Sequence, residues 1–270
     1  MTLLTFLIPV RHPDNSPDWS RLKRNLAQTV ASIAAQTHDD WRGVIIANEG
    51  ADLPPLPERF SVEWVHFPAN RQHDKHGAAT TDFLDAFRID KGQRVLKGML
   101  RARDSRFFMI SDDDDFVSSR IVRFVADHRD GNGWVVDHGY VWDDGGKILY
   151  RHHHLNHVCG TTLIVRSDLY ALPESFEAAT PEYIKTMLGS HRAIGTILAE
   201  RGAPLGTLPF PGAIYRVGHV GSHSQTAPIL KKYVFNRDML RRPHLFVRNL
   251  LRLRKVDTAF QREFFGGVPA

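Results

Sequence analysis

A single cysteine, Cys159, stands among 270 residues. An internal disulfide framework is therefore excluded, and a reducing compartment is expected. Long apolar runs are missing too. Met1 to Val10 is apolar, but it lacks a basic leader, stops at Pro9 and is too short to span a bilayer. It reads as a first strand rather than a signal peptide, and no other run is long enough to cross a membrane. Glycine is absent from Arg11 to Ser20, which argues against a Gly-rich phosphate loop after that strand. No internal repeat or low-complexity segment is present. Apolar content of 42% and charged content of 24% are ordinary for a soluble globular chain, and the length suits one large domain or two small ones.

The formal charge of +5 is unevenly spread. Lys231 to Glu263 holds ten Lys or Arg against three Asp or Glu, a local +7, so the remainder is near −2. Within that segment Phe246, Leu250 and Leu253 fall on one helical face with Val247 and Leu251, while Arg248, Arg252 and Lys255 line another. The expectation is a catalytic unit over 1–230 and a basic amphipathic helical tail over 231–270. The tail either docks through 231–263 on an anionic membrane surface or packs on the catalytic unit with its charges solvated. Because the basic character is confined to one segment, nucleic-acid binding is the weaker alternative and none is expected.

Along the chain, apolar runs at Leu3 to Val10, Trp41 to Ala47, Ser61 to Phe67 and Phe107 to Ile110 read as strands. Between them Ser20 is expected to cap a helix carrying Leu22, Leu26, Val30 and Ile33, and Gly92 to Arg103 reads as a second helix. Asn70 to Asp90 shows no clear periodicity and reads as an irregular loop. This alternation predicts a three-layer α/β sandwich with a mostly parallel central sheet, whose ligands gather at the carboxyl ends of the strands. Further on, Trp134 to Trp142 and Lys147 to Tyr150 flank Asp143-Asp144-Gly145-Gly146 as a hairpin. A strand is expected near Thr161 to Val165, and helical patterning from Pro181 to Arg201 stops at Gly202.

The most informative stretch is Phe107-Phe108-Met109-Ile110-Ser111-Asp112-Asp113-Asp114-Asp115-Phe116. A buried strand runs straight into four carboxylates. Neighbouring carboxylates about 6 Å apart repel by roughly 3 kcal/mol per pair at an effective dielectric near 20. Unless fully solvated, the cluster takes up protons or binds a cation, and a hard divalent ion that also holds substrate phosphates suits oxygen ligands. The plainer alternative is an acidic loop before a helix carrying Ile121, Val122 and Val125, capped by Ser118 or Ser119. The run His152-His153-His154 invites a zinc reading, but successive strand residues point to opposite faces, so a polar acceptor-site strand is preferred.

In order from Leu3 to Ser224, these residues resemble the GT-A type nucleotide-sugar glycosyltransferases, especially the family 2 group. Ile8-Pro9-Val10 is similar to the family's first strand and its turn. Asn25, Ser32 and Gln36 resemble the following helix. Asn48-Glu49 stands where an acidic pair usually holds the nucleoside, and Ile110 to Phe116 resembles the Asp-x-Asp-Asp strand end. The resemblance implies a Rossmann-like GT-A fold with a nucleotide-sugar half over about 1–116 and an acceptor half over about 117–230. It implies nucleotide-sugar contacts from Pro9, Val10, Arg11, Asn48, Glu49, Asp112 and Asp113, and a metal, Mn2+ or Mg2+, on Asp114. A register shifted by one, using Asp113 and Asp115, is the alternative. Tyr215-Arg216 followed by His219 and Ser224 is similar to a late His-containing loop, which implies that His219 contacts metal or diphosphate.

Arg94 or Lys97 can add a positive contact to the phosphates, and Trp142, His154 and Thr161 are expected on the acceptor side. Where many inverting members carry a Glu-Asp pair, this chain has Leu188-Gly189-Ser190-His191-Arg192. His191 is either the base that replaces it or a polar helix-start residue. The implied activity is metal-dependent sugar transfer from a nucleotide diphosphate sugar, a UDP-sugar favoured, to a glycan, lipid-linked or other acceptor. The setting expected is cytoplasmic, peripheral on the inner membrane face if the tail docks. A metal-dependent nucleotidyltransferase is the rival enzyme.

Overall fold

Seven of the eight residues of the first strand are buried, as a strand covered on both faces requires. The computed structural model describes residues 1–71, 80–218 and 228–267. Strand β1 (Thr2–Pro9) is followed by helix α1 (Trp19–Ala34), β2 (Trp41–Asn48), β3 (Phe60–Val65), helix α2 (Thr80–Arg101) and β4 (Ser105–Ile110). Next come β5 (Phe116–Val117), α3 (Ile121–Asp127), β6 (Gly133–Val135), β7 (His138–Asp143), β8 (Ile148–His153) and β9 (Leu163–Arg166). The remaining elements are α4 (Pro181–Tyr183), α5 (His191–Glu200), β10 (Gly206–Thr207), β11 (Ala213–Val217), α6 (Arg237–Leu240), α7 (Pro243–Leu250), β12 (Leu253–Lys255) and α8 (Thr258–Phe264).

The central sheet has the order β10-β6-β9-β4-β1-β2-β3. Strand β9 runs antiparallel to both its neighbours, and the other pairings are parallel. Alternation along each strand sorts the core into two layers. Leu4, Phe6, Ile8, Phe107 and Met109 pack with Leu26, Val30 and Ile33 of α1 and with α3, whereas Leu7, Val44, Ile46 and Phe108 pack with Val95, Leu96 and Met99 of α2 and with α5. The α/β class and mostly parallel sheet expected from the sequence are therefore present. A second sheet, ordered β12-β8-β7-β11-β5, contains the expected hairpin, although Trp134 belongs to β6 in the central sheet.

Several local expectations change. Helix α1 is capped by Asp18, whose side chain accepts from the Arg21 amide at 2.9 Å, and Ser20 lies inside it. The segment read as a loop up to Asp90 is helical from Thr80. Its charges obscured an apolar face that begins with buried Phe83, and they pair along the helix, Arg88 with Asp85 and Arg94 with Asp90. No side chain caps α3; the Ser118 hydroxyl accepts from the Arg120 amide at 3.3 Å and donates to Glu263 at 2.7 Å. The pattern over 181–201 is broken into α4, a π-helical turn Ile184–Leu188 and α5. Close approach to α2 demands the break: a Cβ at Gly189 would lie 2.2 Å from the Arg88 carbonyl oxygen, and one at Gly92 2.6 Å from that of Ile184.

The basic segment is not one amphipathic helix. Leu253 sits in β12, which pairs antiparallel with β8, and α8 buries Phe264 while Phe265 follows just beyond it. These two rings join Phe116, Tyr140 and Trp142 in a third apolar cluster, so this part of the segment packs on the second sheet.

Candidate active site

At the carboxyl ends of β1 and β4 a cavity of about 120 Å3 opens, lined by Asp112, Asp113 and Asp114. The turn that presents them is held from below. The Ser111 amide donates to the Leu7 carbonyl at 2.9 Å, and the Asp112 amide donates to the Thr161 hydroxyl at 2.9 Å. The fourth carboxylate faces inward. Asp115 is fully buried and accepts from the Thr161 hydroxyl at 2.7 Å, the Arg216 amide at 3.2 Å and the Cys159 thiol at 3.2 Å. Burial pushes its pKa well above the carboxylate range, and Asp114 and Asp112 add to the effect. The thiol of Cys159 is likewise raised by burial and by Asp115. Geometry thus gives Asp112 to Asp114 the open side and Asp115 the structural one.

Polar residues of α1 close the other side of the turn. Thr29 donates to the Asp115 carbonyl at 2.8 Å, Ser32 to the Val117 carbonyl at 3.1 Å and Gln36 to the Ser118 carbonyl at 2.9 Å. The Ser32 hydroxyl accepts from the Val117 amide, and Gln36 accepts from the Val122 amide, both at 2.9 Å. They satisfy backbone that would otherwise be orphaned in the core.

Cations converge from two directions. Arg11 lies 4.0 Å from Asp113. From α2, Lys91 forms an ion pair with Asp112. Burial works to lower the Lys91 pKa, but Asp112 overrides it and holds the ammonium above its ordinary range. Gly160 makes room for this pair, since a Cβ there would stand 2.5 Å from Asp112 Oδ2 and 3.0 Å from Lys91 Nζ. Arg94 is buried against the cavity wall, donating to Asn48 Oδ1 at 2.7 Å and to Asp90 at 3.1 Å, with its guanidinium 5.6 Å from the Phe67 ring centroid.

Of the residues anticipated at the site, Pro9, Arg11, Arg94, Asp112, Asp113 and Asp114 line this cavity. Asn48 does so only through Arg94. Glu49 pairs with exposed His66 at 2.9 Å, Val10 is buried, and Lys97 lies over the Phe176 ring at 4.5 Å. None of the three residues expected on the acceptor side lines this cavity. Trp142 is fully buried, bonded to the Gly146 carbonyl at 2.7 Å and packed on Phe116 and Phe265. Thr161 is buried as the clamp between Asp112 and Asp115. His154 is exposed, in a left-handed backbone conformation, with Nδ1 2.9 Å from Asp137. His219 lies outside the described residues. Among the described residues no three His, Cys, Asp or Glu side chains are grouped to hold an ion unaided.

Lys91, Phe87, Asp90 and Tyr215 also line the cavity and were not anticipated. Phe87, Asp90, Lys91 and Arg94 recur at helical spacing, a signal hidden by reading a loop up to Asp90.

His191 opens α5, where Ser190 is the cap, its side chain accepting from the Arg192 amide. Burial first and Lys91 second push its pKa down to about 4, so the ring is neutral at ordinary pH. A void of about 20 Å3 is lined by both Lys91 and His191. His191 also lines a wider groove of about 600 Å3, together with Asn156, His157, Arg192 and Thr196. Two buried atoms of that groove, His191 Nε2 and Asn156 Oδ1, have no hydrogen-bond partner. The carboxamide oxygen is an acceptor, so its complement is a donor such as a hydroxyl.

No family model matches the sequence, and no curated protein does either. Solved structures are similar in outline. TarS 1-349 of S. aureus is 10% identical with a TM-score of 0.38, covering 79% of this chain, which spans 60% of that one. A protein of Desulfovibrio desulfuricans described as a nucleotide-diphospho-sugar transferase is 14% identical with a TM-score of 0.40, covering 93% of this chain and 95% of its own. A Bacillus anthracis protein described as a glucose-1-phosphate thymidylyltransferase, in complex with a sucrose, is 9% identical with a TM-score of 0.39, covering 82% and 91%. At these scores the likeness carries no functional weight, which rests on the site's own geometry.

Proposed function

We propose that the protein transfers a sugar from a nucleotide diphosphate sugar to a hydroxyl acceptor. What carries the reading is one cavity at the carboxyl ends of parallel strands, lined by four carboxylates, Asp90 and Asp112 to Asp114, and by three cations, Arg11, Lys91 and Arg94. A cavity with only cations would suit any anion, and one with only carboxylates any cation. Both together suit a diphosphate that arrives with a divalent ion.

The donor set fits such an ion. Asp113 and Asp114 offer hard oxygen atoms, and with no third protein ligand grouped nearby among the described residues the substrate phosphates would complete the shell. Asp114 is the residue assigned to hold Mn2+ or Mg2+, which when bound supplies charge stabilisation to the departing diphosphate. Lys91 and Arg11 add positive charge to the same oxygens, preorganised by Asp112 and Asp113. Asp112 is assigned to the ribose or the sugar. The acceptor enters through the groove of Asn156, His157 and Arg192, its hydroxyl donating to His191 Nε2. As the new glycosidic bond forms and the anomeric carbon–diphosphate bond breaks, the hydroxyl proton passes to His191 and the nucleoside diphosphate leaves with the bond's electron pair.

The test is thermal stabilisation by UDP, GDP and dTDP, each with and without Mn2+, followed by a transfer assay on the nucleotide that binds. Stabilisation should require nucleotide and metal together, and Asp114→Ala should abolish turnover with an unchanged fold. Full activity of that variant would overturn the assignment, and pyrophosphate released in place of a nucleoside diphosphate would establish nucleotidyl transfer instead.

A further inference from the structure

Helix α7 is inside out for a protein surrounded by water. Its buried residue is Asn249, whose Nδ2 donates to the Tyr233 carbonyl at 2.7 Å and whose Oδ1 accepts from the Tyr150 hydroxyl at 3.1 Å. Leu245 and Phe246 are half-buried, and the helix's other large apolar side chains are exposed. Val247 is 53% exposed, Leu250 38%, and Leu251, just past the helix, 70%. Phe235, 56% exposed, continues the patch, its ring centroid 6.1 Å from that of Phe246. Four of the eight large exposed apolar side chains among the described residues thus lie within 235–251. Surface helices ordinarily bury leucine and valine and expose asparagine. An anchored helix with the opposite orientation needs an apolar covering.

The surroundings select the covering. Arg237, Arg241, Arg242 and Arg248, from the same stretch of chain, are exposed too, and Asp238 is the single carboxylate between residues 231 and 252. A second copy of the chain in a two-fold contact would set this cationic stretch against itself. A lipid surface with anionic headgroups answers both features, because acyl chains receive the apolar side chains while phosphates meet the arginines. We propose that α7 and the residues flanking it seat the protein on an anionic bilayer, lying in the interface and not crossing it. The docking stands independently of the sugar-transfer reading, and its test reads binding alone.

The experiment is flotation of the full chain with vesicles of phosphatidylcholine, or of phosphatidylcholine mixed with phosphatidylglycerol. The protein should float with the mixed vesicles, more weakly with the neutral ones, and less as salt is raised. Leu251→Asp should lower partitioning about tenfold or more, the change that goes with exposing one buried leucine. Arg241→Glu with Arg242→Glu should lower it by at least about fivefold per residue. Leu251 is exposed, so an unshifted Tm is expected for its variant and the arginine pair provides a second reading. Failure of the wild type to float, or flotation of Leu251→Asp equal to wild type, overturns the proposal. Concentration-dependent dimers in light scattering that Leu251→Asp abolishes, with no vesicle binding, would assign the face to a second copy.

Discussion

Replacing His191 by glutamine removes a ring that the fold holds neutral, and stability as a function of pH should register the loss. The pKa of His191 is pushed down to about 4 by burial, by Lys91 and by Arg192, with Asp112 opposing. His152, on β8, is also pushed down to about 4, by burial first and Lys232 second. In the unfolded chain both titrate near 6.5. The sign follows from proton counting. Above about pH 6.5 neither state binds the proton and the two groups have no effect. As pH falls from there towards about 4, the unfolded chain takes up protons that the folded one refuses, so stability is lost. At about pH 5 the loss is about 2 kcal/mol for each histidine, an upper figure because solvent screening reduces it. Urea unfolding of wild type, His191→Gln and His152→Gln across this range should show each variant recovering its share on acidification. Curves that run parallel from neutral pH to about pH 4.5 would refute the claim that these rings are held neutral. If His191 also takes the acceptor proton, kcat/KM of the folded enzyme should stay level down to about pH 5 and fall near its folded pKa.

Gly160→Ala should push apart the Asp112–Lys91 pair, because the new methyl group would meet Asp112 Oδ2 at 2.5 Å. Misplacement of this order costs up to about a hundredfold in rate, and calorimetry should show weakened nucleotide binding; unaltered affinity would remove the pair from the site. Phe264→Ala, at a side chain 1% exposed in the third apolar cluster, should cost about 3–5 kcal/mol in urea unfolding. A loss under about 1 kcal/mol would mean that α8 contributes little to the folded unit.

The sheet was legible because strands buried on both faces appear as unbroken apolar runs, as in Leu3 to Val10 and Phe107 to Ile110. The acidic turn was legible because four carboxylates at a strand end demand an explanation. Burial and tertiary partners were not. Trp142 and Thr161 have the chemistry of ligand contacts, and only packing shows that one fills the core while the other clamps the turn. Similarly, Asp115 differs from Asp112 to Asp114 in environment and not in kind. The first half of α2 was hidden because its charges are matched to distant or helical partners, Asp85 to Lys185 and Asp90 to Arg94, and Lys91 was missed with it. The expected tail helix failed because Leu253 pairs as a strand with Tyr150, a contact about a hundred positions away that periodicity does not contain.

Residues just after the acidic turn are fastened by a much later part of the chain. Glu263 receives the Ser118 hydroxyl across 145 positions and pairs with Arg120, its carbonyl takes the Ser119 amide, and the Phe265 ring lies 4.6 Å from Phe116. During synthesis the strands of the central sheet can therefore assemble well before the carboxylates acquire their final support. A nascent polypeptide still lacking α8 would own the scaffold but not a rigid ligand-binding corner, so maturation of that corner waits until residues 258–265 have been made.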